Sequence, residues 1–550
     1  MILYKRTFPF QKVFRRVASV ILHVLALLLT GVQSGQAAET FGKIRIDTIV
    51  VCPAIFQHEM QRWIAHRESQ GHGIVMVQPS KTAFDLQIRI RQLAKKYPVR
   101  YLVLVGDCYG RPLYRSQSLP IVPRGQVKAK VNVKFGSESM ICTDNLYADL
   151  DDDLIPELAV GRLSVDSNAE LRTVVGKILE YEKNPPPGPW RSKINLVAGV
   201  GGFGTVTDRV IETAARQLIL RGIPREFETK LTCASWRSPY CPDPRYFHDV
   251  TVNSLNEGCL FWVYFGHGHI HRLDHVETPV SRFQILDVTH KQKLRAHRGM
   301  PIAMLLACYT GAMDSLDDCL AEEMLEAEGG PVAVFAGSRV TMPYAMSILS
   351  HEMLVELFSG DSQTLGDLIL RSKRNMIEPR QNERDPTRAA IEGLAGILSP
   401  TRDLLAEERL EHVQLFNLLG DPLLKLPKSS SLHLDVPPNA SLGHTIQITG
   451  SSPLSGKLSI ELNYDRAKLP FKPQDRKEFE WTTEFLARLQ LEYLSANYKT
   501  VAAHSKEIEG GEFTISLAIP AHLKKGKFQV RAFLENQQAF AVGCSDIRIR

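Results

Sequence analysis

Two apolar runs of the chain end in residues able to act together. Leu260-Phe-Trp-Val-Tyr-Phe265 leads directly into Gly266-His267-Gly268, and Ile302-Ala-Met-Leu-Leu-Ala307 leads into Cys308-Tyr-Thr-Gly311. A thiol attacks a carbonyl at neutral pH only when a base, or an imidazolium partner, holds it as thiolate. The glycines beside His267 let a substrate backbone approach and leave the Gly268 amide to face an oxyanion. Alone, Gly-His-Gly is usually a turn, and a cysteine in an apolar run is usually inert core. Placed at the ends of two buried strands, where open parallel sheets put their ligand sites, the two together indicate a nucleophilic cysteine with a histidine partner.

The elements that must position them form an alternating pattern. Ile44–Val51, Ile74–Val77 and Tyr101–Val105 are short apolar runs rich in β-branched residues. Between them, Gln57–Gly71 and Ala83–Tyr97 carry apolar residues at helical spacing. Such alternation predicts a parallel sheet covered on both faces. Asn184-Pro-Pro-Pro-Gly-Pro189 marks a boundary, after which the pattern restarts. Strands are expected at Ile194–Ala198, Leu260–Phe265, Ile302–Leu306 and Val332–Phe335, and a helix at Asp208–Arg221. A further helix is expected from an N-cap near Ser315 to Gly329-Gly330. After Pro427 short alternating runs separated by Gly, Pro, Ser and Asn predict a β-sandwich. The expected organisation is a signal segment over 1–38, α/β subdomains over 39–185 and 186–427, and a sandwich over 428–550.

The Phe265-Gly266-His267-Gly268 and Leu306-Ala307-Cys308 sequences resemble the gingipain-type cysteine peptidases, within the larger caspase-like group. Further matches are Tyr101-Leu-Val-Leu-Val-Gly-Asp107, Thr143-Asp-Asn-Leu-Tyr-Ala-Asp149 and Glu157-Leu-Ala-Val-Gly-Arg162. Ala321-Glu-Glu-Met-Leu325 and Leu419-Gly-Asp-Pro-Leu423 follow in order. The resemblance implies a caspase-like parallel-sheet region of two α/β subdomains followed by an immunoglobulin-like module. It makes Cys308 the nucleophile, His267 the general acid/base, and the backbone amides of Gly268 and Cys308 the oxyanion donors. Arginine-specific members carry a Glu before a Gly-Gly, but this chain reads Ala198-Gly-Val-Gly-Gly202, with Val200 at that place. The third catalytic residue is therefore unassigned. Aligning the specificity helix brings Asp208 to the floor of an S1 pocket and Tyr344 to its wall, which would favour a basic P1 side chain. Asp208 could equally serve only as a helix cap.

Other clusters bound the reading. His267, His269, His271 and His275 lack the Cys or carboxylate set that completes a zinc tetrahedron, and a metal on His267 would block its role. Asp149-Leu-Asp-Asp-Asp153 resembles a calcium loop, with Asp149, Asp151 and Asp153 as oxygen donors, or else a solvated acidic turn. No cofactor is otherwise expected. The nine cysteines leave at least one unpaired, and Cys233 with Cys241 is the pair best placed for a disulfide. The net charge of +6 is misleading, because Lys5, Arg6, Lys12, Arg15 and Arg16 precede the first acid. The near-neutral remainder argues against a nucleic-acid partner. The basic start, the apolar Val17–Leu29 and the small residues near Ala37-Ala38 predict a cleaved secretory signal, hence export and no membrane span afterwards. No pro-segment is expected between the signal and the first strand. The expected function is an exported cysteine endopeptidase acting on proteins or peptides. The rivals are a sortase-like transpeptidase with the same dyad and an inactive binding or scaffold protein.

Overall fold

The computed structural model describes residues 45–108, 121–199, 222–378, 385–466, 468–474 and 476–550. The expected signal segment and the Asp208–Arg221 helix, with Val200 and Asp208, lie outside these residues.

The first half builds β1 (Ile46–Val51), α1 (Gln57–Ser69), β2 (Gly73–Val77), α2 (Ala83–Lys96), β3 (Tyr101–Val105), β4 (Ala159–Leu163) and α3 (Asn168–Lys183). The second half builds β5 (Lys193–Ala198), β6 (Glu228–Cys233), α4 (Phe247–Asn256), β7 (Phe261–Phe265), β8 (Ile302–Leu306), α5 (Leu320–Glu326) and β9 (Ala333–Gly337). It continues through α6 (Pro343–Ser359), α7 (Leu365–Ile377), α8 (Leu405–Leu415) and β10 (Phe416–Leu419). All ten strands join one sheet in the order β2-β1-β3-β4-β10-β9-β8-β7-β5-β6. The four strands of the first half are contiguous in it, as are the six of the second. Local chemistry sets the helix starts: the Thr82 hydroxyl accepts the Asp85 amide, and Ser167 forms a capping box with Glu170.

Buried polar groups fasten the seam between the halves. The fully buried Arg162 binds Asp144 at 2.6 Å, and the Asp144 amide donates to Asn417 Oδ1 at 2.9 Å. Asp421, also fully buried, accepts from Trp63 and Arg67. The Thr143–Asp149, Glu157–Arg162 and Leu419–Leu423 motifs are therefore residues of this seam. Removing one partner of such a pair leaves an uncompensated buried charge, at a cost of ~3–5 kcal/mol.

The helix expected near Ser315 starts later and ends sooner, at Leu320 and Glu326. Glu322 accepts the Cys319 amide at 2.9 Å and fixes the first turn there. Ser315 instead closes a turn onto Ala312, so the residues after Cys308 form a folded loop.

The C-terminal region comprises β11 (Thr445–Ser452), β12 (Gly456–Tyr464), α9 (Thr483–Asn497), β13 (Thr500–Ile508), β14 (Gly511–Ala518), β15 (Gly526–Glu535) and β16 (Phe540–Ile549). A three-stranded sheet with β11 and β14 shares a core with a six-stranded sheet containing β12, β13, β15 and β16. Ile448 and Ile515 contribute from the first, Ile460 and Val530 from the second. Helix α9 is absent from the alternation reading. Its Phe485, Leu486 and Leu489 pack into the α/β core rather than the sandwich core, so this region is joined to the α/β region through a large apolar contact. Among the described residues no helix is long and apolar enough to cross a membrane.

Candidate active site

Strands β7 and β8 are direct neighbours in parallel register, with Phe265 opposite Leu306. Both are buried along nearly their whole length, while His267 and Cys308, just past their ends, are half-buried. The sheet thus delivers both side chains to one rim and leaves them reachable.

The two loops touch. A β-carbon on Gly268 would lie 2.6 Å from the Cys308 carbonyl oxygen and 2.8 Å from the Ala307 β-carbon, so only glycine fits there without movement. Gly266 has φ +155°, and a β-carbon there would meet the Tyr264 hydroxyl at 2.7 Å. That hydroxyl donates to the His267 carbonyl at 2.7 Å and fixes the turn that carries the imidazole. Beyond it, the chain from Arg272 to Asp274 is bonded back to Ile285–Asp287, which secures the loop from behind.

Cys308 is followed by Tyr309 at φ +59°, a left-handed conformation uncommon for a residue with a side chain. This sharp turn lifts the thiol off the strand. The Tyr309 amide donates to Arg339, and the Tyr309 hydroxyl donates to Glu138 at 2.9 Å. The loop after β9 then cradles the sulfur. The Thr341 amide donates to Cys308 Sγ at 3.3 Å, and Thr341 Oγ1 lies 3.5 Å from it. The Thr341 carbonyl oxygen lies 3.8 Å from the same sulfur, so one residue holds Sγ in place from three polar atoms. Thr341 is held in turn by its neighbour: the Met342 amide donates to His412 Nε2 at 2.9 Å, and His412 Nδ1 lies 2.8 Å from the Glu408 carbonyl. Burial pulls the His412 imidazole down to about 4, so its ring is neutral at pH 7 and able to accept.

Tyr344 sits in the first turn of α6, buried, and its hydroxyl accepts from Arg409. The Arg409 guanidinium lies 6.0 Å from the Tyr344 ring centre. Thr341 and His412 belong to this site but to no sequence motif, and Tyr264 and Tyr309 lie within the two quoted runs without having been assigned a role. Only their contacts in the fold show them.

The histidines after His267 are spread along a hairpin in which His269 faces Arg272. No three of them bring ligand atoms together among the described residues. Asp149, Asp151 and Asp153 do place carboxylate oxygens within 4.8 Å of one another. Asp149 already accepts the amides of Asp151, Asp152 and Leu154, and Arg91 binds Asp152, so the protein's own donors serve this turn. A second acidic group, Asp107, Asp166 and Asp318, lies where the first half meets the loop after Cys308. Cys233 and Cys241 are both buried in one turn, where the Cys233 amide donates to the Tyr240 carbonyl at 2.9 Å.

The sheet order and the His and Cys loops at its rim define a caspase-like α/β protein of the cysteine-peptidase type. A model of peptidase family C25 matches residues 43–427, and the chain belongs to that family. It is similar to gingipain R2 of Porphyromonas gingivalis (strain ATCC BAA-308 / W83), at 20% identity over 349 residues, or 60% of this chain and 42% of that protein. Gingipain R1 of Porphyromonas gingivalis is 21% identical over 250 residues, covering 43% of this chain and 24% of that one. The chain therefore spans less than half the length of these relatives. In fold it resembles the crystal structure of the Arg-specific cysteine proteinase gingipain R, with a TM-score of 0.52 at 16% identity, covering 92% of this chain and 99% of that one. The complex of Porphyromonas gingivalis RgpB pro- and mature domains gives a TM-score of 0.51 at 16% identity, with 92% and 100% covered.

Proposed function

We propose that the protein is an exported cysteine endopeptidase in which Cys308 is the nucleophile and His267 the general acid/base. The observation that carries this reading is the close approach of Gly268 to the Cys308 carbonyl and the Ala307 side chain, which holds the imidazole loop against the thiol loop. The Cys308 thiolate adds to the peptide carbonyl carbon, and the amides of Gly268 and Cys308 face the resulting oxyanion. The C–N bond breaks as His267 gives its proton to the leaving amine. Water then adds to the thioester, yielding its proton to His267, and the C–S bond breaks to release the carboxyl product. The Thr341 amide, by donating to Sγ, keeps the sulfur positioned between turnovers. This chemistry draws on no cofactor, and a calcium ion at Asp149, Asp151 and Asp153 would serve only the fold of that turn. Membership of a peptidase family and the basic, then apolar, first 38 residues support protein substrates met outside the cytoplasm.

An electrophilic peptide probe tests the reading directly. Cys308 and Cys544 are the half-buried cysteines of the described chain and the rest are buried, so background labelling is low. The expected result is a single adduct on the peptide containing Cys308, absent in Cys308→Ala. An unlabelled protein, or an adduct on another cysteine, would overturn it. Added amine that diverts the product into an amide would identify the transpeptidase instead.

A further inference from the structure

Two of the buried cysteines stand apart from the main core. Cys108, just past the end of β3, and Cys142 form a small cluster of their own with Met313, and all three are almost wholly buried. The two thiols lie within hydrogen-bonding reach of each other, and this contact, ahead of burial, pushes the Cys108 thiol well above the usual thiol range. The Cys108 S–H also donates to the Met313 carbonyl at 2.9 Å. Peptide hydrolysis uses neither thiol.

Contacts from both cysteines lead to the loop after Cys308. Met313 belongs to that loop. Cys142 ends the strand Met140–Cys142, which pairs with Gln126–Lys128. The chain between those strands carries Glu138, which accepts the Tyr309 hydroxyl at 2.9 Å. The Cys142 carbonyl accepts from Ser338 at 2.7 Å and from Asn417 at 3.3 Å. The pair therefore joins the end of β3 to the hairpin that holds Tyr309.

We propose that Cys108 and Cys142 close into a disulfide as the chain folds in an oxidising compartment, and so staple the hairpin that carries Glu138 to the end of β3. The proposal rests on the export argued above, since cytosolic reductants keep such thiols reduced. The chemistry balances with a disulfide oxidant such as glutathione disulfide. One cysteine loses its proton and attacks a sulfur of the oxidant, breaking its S–S bond and releasing one glutathione thiolate. The second cysteine loses its proton and attacks the mixed disulfide, forming the Cys108–Cys142 bond and releasing the other glutathione. The two glutathiones leave with both protons and both electrons. A thiolate must reach the oxidant, and both sulfurs are buried in the folded chain, so the exchange takes place before this cluster closes. The bond replaces the S–H donated to Met313, exchanging one hydrogen bond for a covalent link that also restricts the unfolded chain.

Refolding the reduced full chain in a glutathione redox buffer tests the proposal. The Cys308→Ala chain is used, so that self-cleavage and a mixed disulfide at Cys308 do not enter. The result then depends neither on the peptidase reading nor on export. Free thiols are alkylated and the unreduced digest is analysed by mass spectrometry. The expected product joins the Cys108 and Cys142 peptides, two hydrogens lighter than the separate pair. The oxidised chain should melt several degrees above the reduced one, and Cys142→Ser should abolish that difference and leave Cys108 alkylated. Should the chain not refold, cell-free synthesis in the same buffer gives the same readout. Alkylation of both cysteines in the oxidised chain, a bond from either to another cysteine, or a melting difference that persists in Cys142→Ser overturns the pair.

Discussion

Gly268 packs against Cys308 so closely that a β-carbon at position 268 would lie 2.6 Å from the Cys308 carbonyl oxygen. It would also meet the Thr310 γ-methyl at 2.7 Å and the Ala307 β-carbon at 2.8 Å, and the residues that carry them are fully buried with little room to yield. Gly268→Ala should therefore displace the His267 loop from the thiol by several tenths of an ångström. A misplacement of that order costs ~10²-fold in rate when proton transfer must be aligned. The expected outcome is a fall of that size in kcat/KM with an unchanged far-ultraviolet spectrum. Near-normal turnover would show that the two loops are not mechanically linked.

Cys308→Ala should abolish turnover and probe labelling while the protein still melts cooperatively, because Cys308 lies past the end of β8 and not inside it. His267→Ala removes the proton donor for the leaving amine and should lower kcat by ~10²–10⁴. Because the thiol remains, slow labelling should persist in His267→Ala. Equal and complete loss of labelling in both variants would mean that His267 is also needed to form the thiolate.

His412 should make the site sensitive to acid. Its folded-state value of about 4 lies below the 6.5 of an ordinary imidazole. Between those values the unfolded chain binds a proton that the folded ring refuses, so stability is fully present above pH 6.5 and falls as pH drops through about 4. The difference is worth up to about 3 kcal/mol. Protonation also removes the acceptor for the Met342 amide, next to the Thr341 that cradles Cys308. His412→Gln, which can accept but does not titrate, should flatten the stability curve from pH 4 to 6.5 in urea titrations. An identical curve would remove His412 from the acid response.

The strands that position this site were legible because they are buried on both faces and read as unbroken apolar runs; Tyr101–Val105 and Ile302–Leu306 have the expected bounds. His267 and Cys308 were legible because each follows such a run. Thr341 was not, since its contribution is a backbone amide and any residue type supplies one. His412 reads in sequence as one polar position of an ordinary helix, and only the packing of α8 on α6 turns it into an acceptor. The helix placed at Ser315 failed because a good capping residue lost to a tertiary bond: the Leu320 amide is taken by the Ile270 carbonyl, which fixes where the chain enters α5. Helix α9 was hidden by its setting within a region of alternating strands.

The proposed S1 pocket, whose Asp208 lies outside the described residues, makes a substrate preference testable. If Asp208 serves an S1 pocket as the resemblance implies, a peptide library should show Arg above Lys at P1, and Asp208→Asn should reduce that preference about tenfold or more. The contact of Arg409 with Tyr344 adds a second expectation, because a substrate guanidinium on that ring would meet a like charge. Arg409→Gln should raise kcat/KM for Arg at P1. A preference that survives intact in Asp208→Asn would leave Asp208 as a helix cap.

A chain ending at Pro427 should not stay soluble, although it keeps both active-site strands. Trp236, in the turn after β6, packs against Phe479 at 5.3 Å and Phe485 at 6.5 Å between ring centres. Leu486 and Leu489 continue that contact, and each is almost wholly buried. Burying one such side chain contributes ~1.5–3 kcal/mol, so losing several together exposes an apolar patch that a monomer rarely carries. The polar attachments go with it. Arg476 donates to the Trp236 and Ser238 carbonyls, and Asn497 exchanges two hydrogen bonds with the Leu231 backbone. Deleting residues 428–550 would thus leave the β6 edge with unmet donors and acceptors beside bare aromatic surface, a template for self-association. Light scattering of the truncated protein should show aggregation. Charged replacements for Trp236 and Leu231 should then improve its solubility. A monodisperse truncated protein that labels at Cys308 would show that the α/β region folds independently and that α9 is an accessory to it.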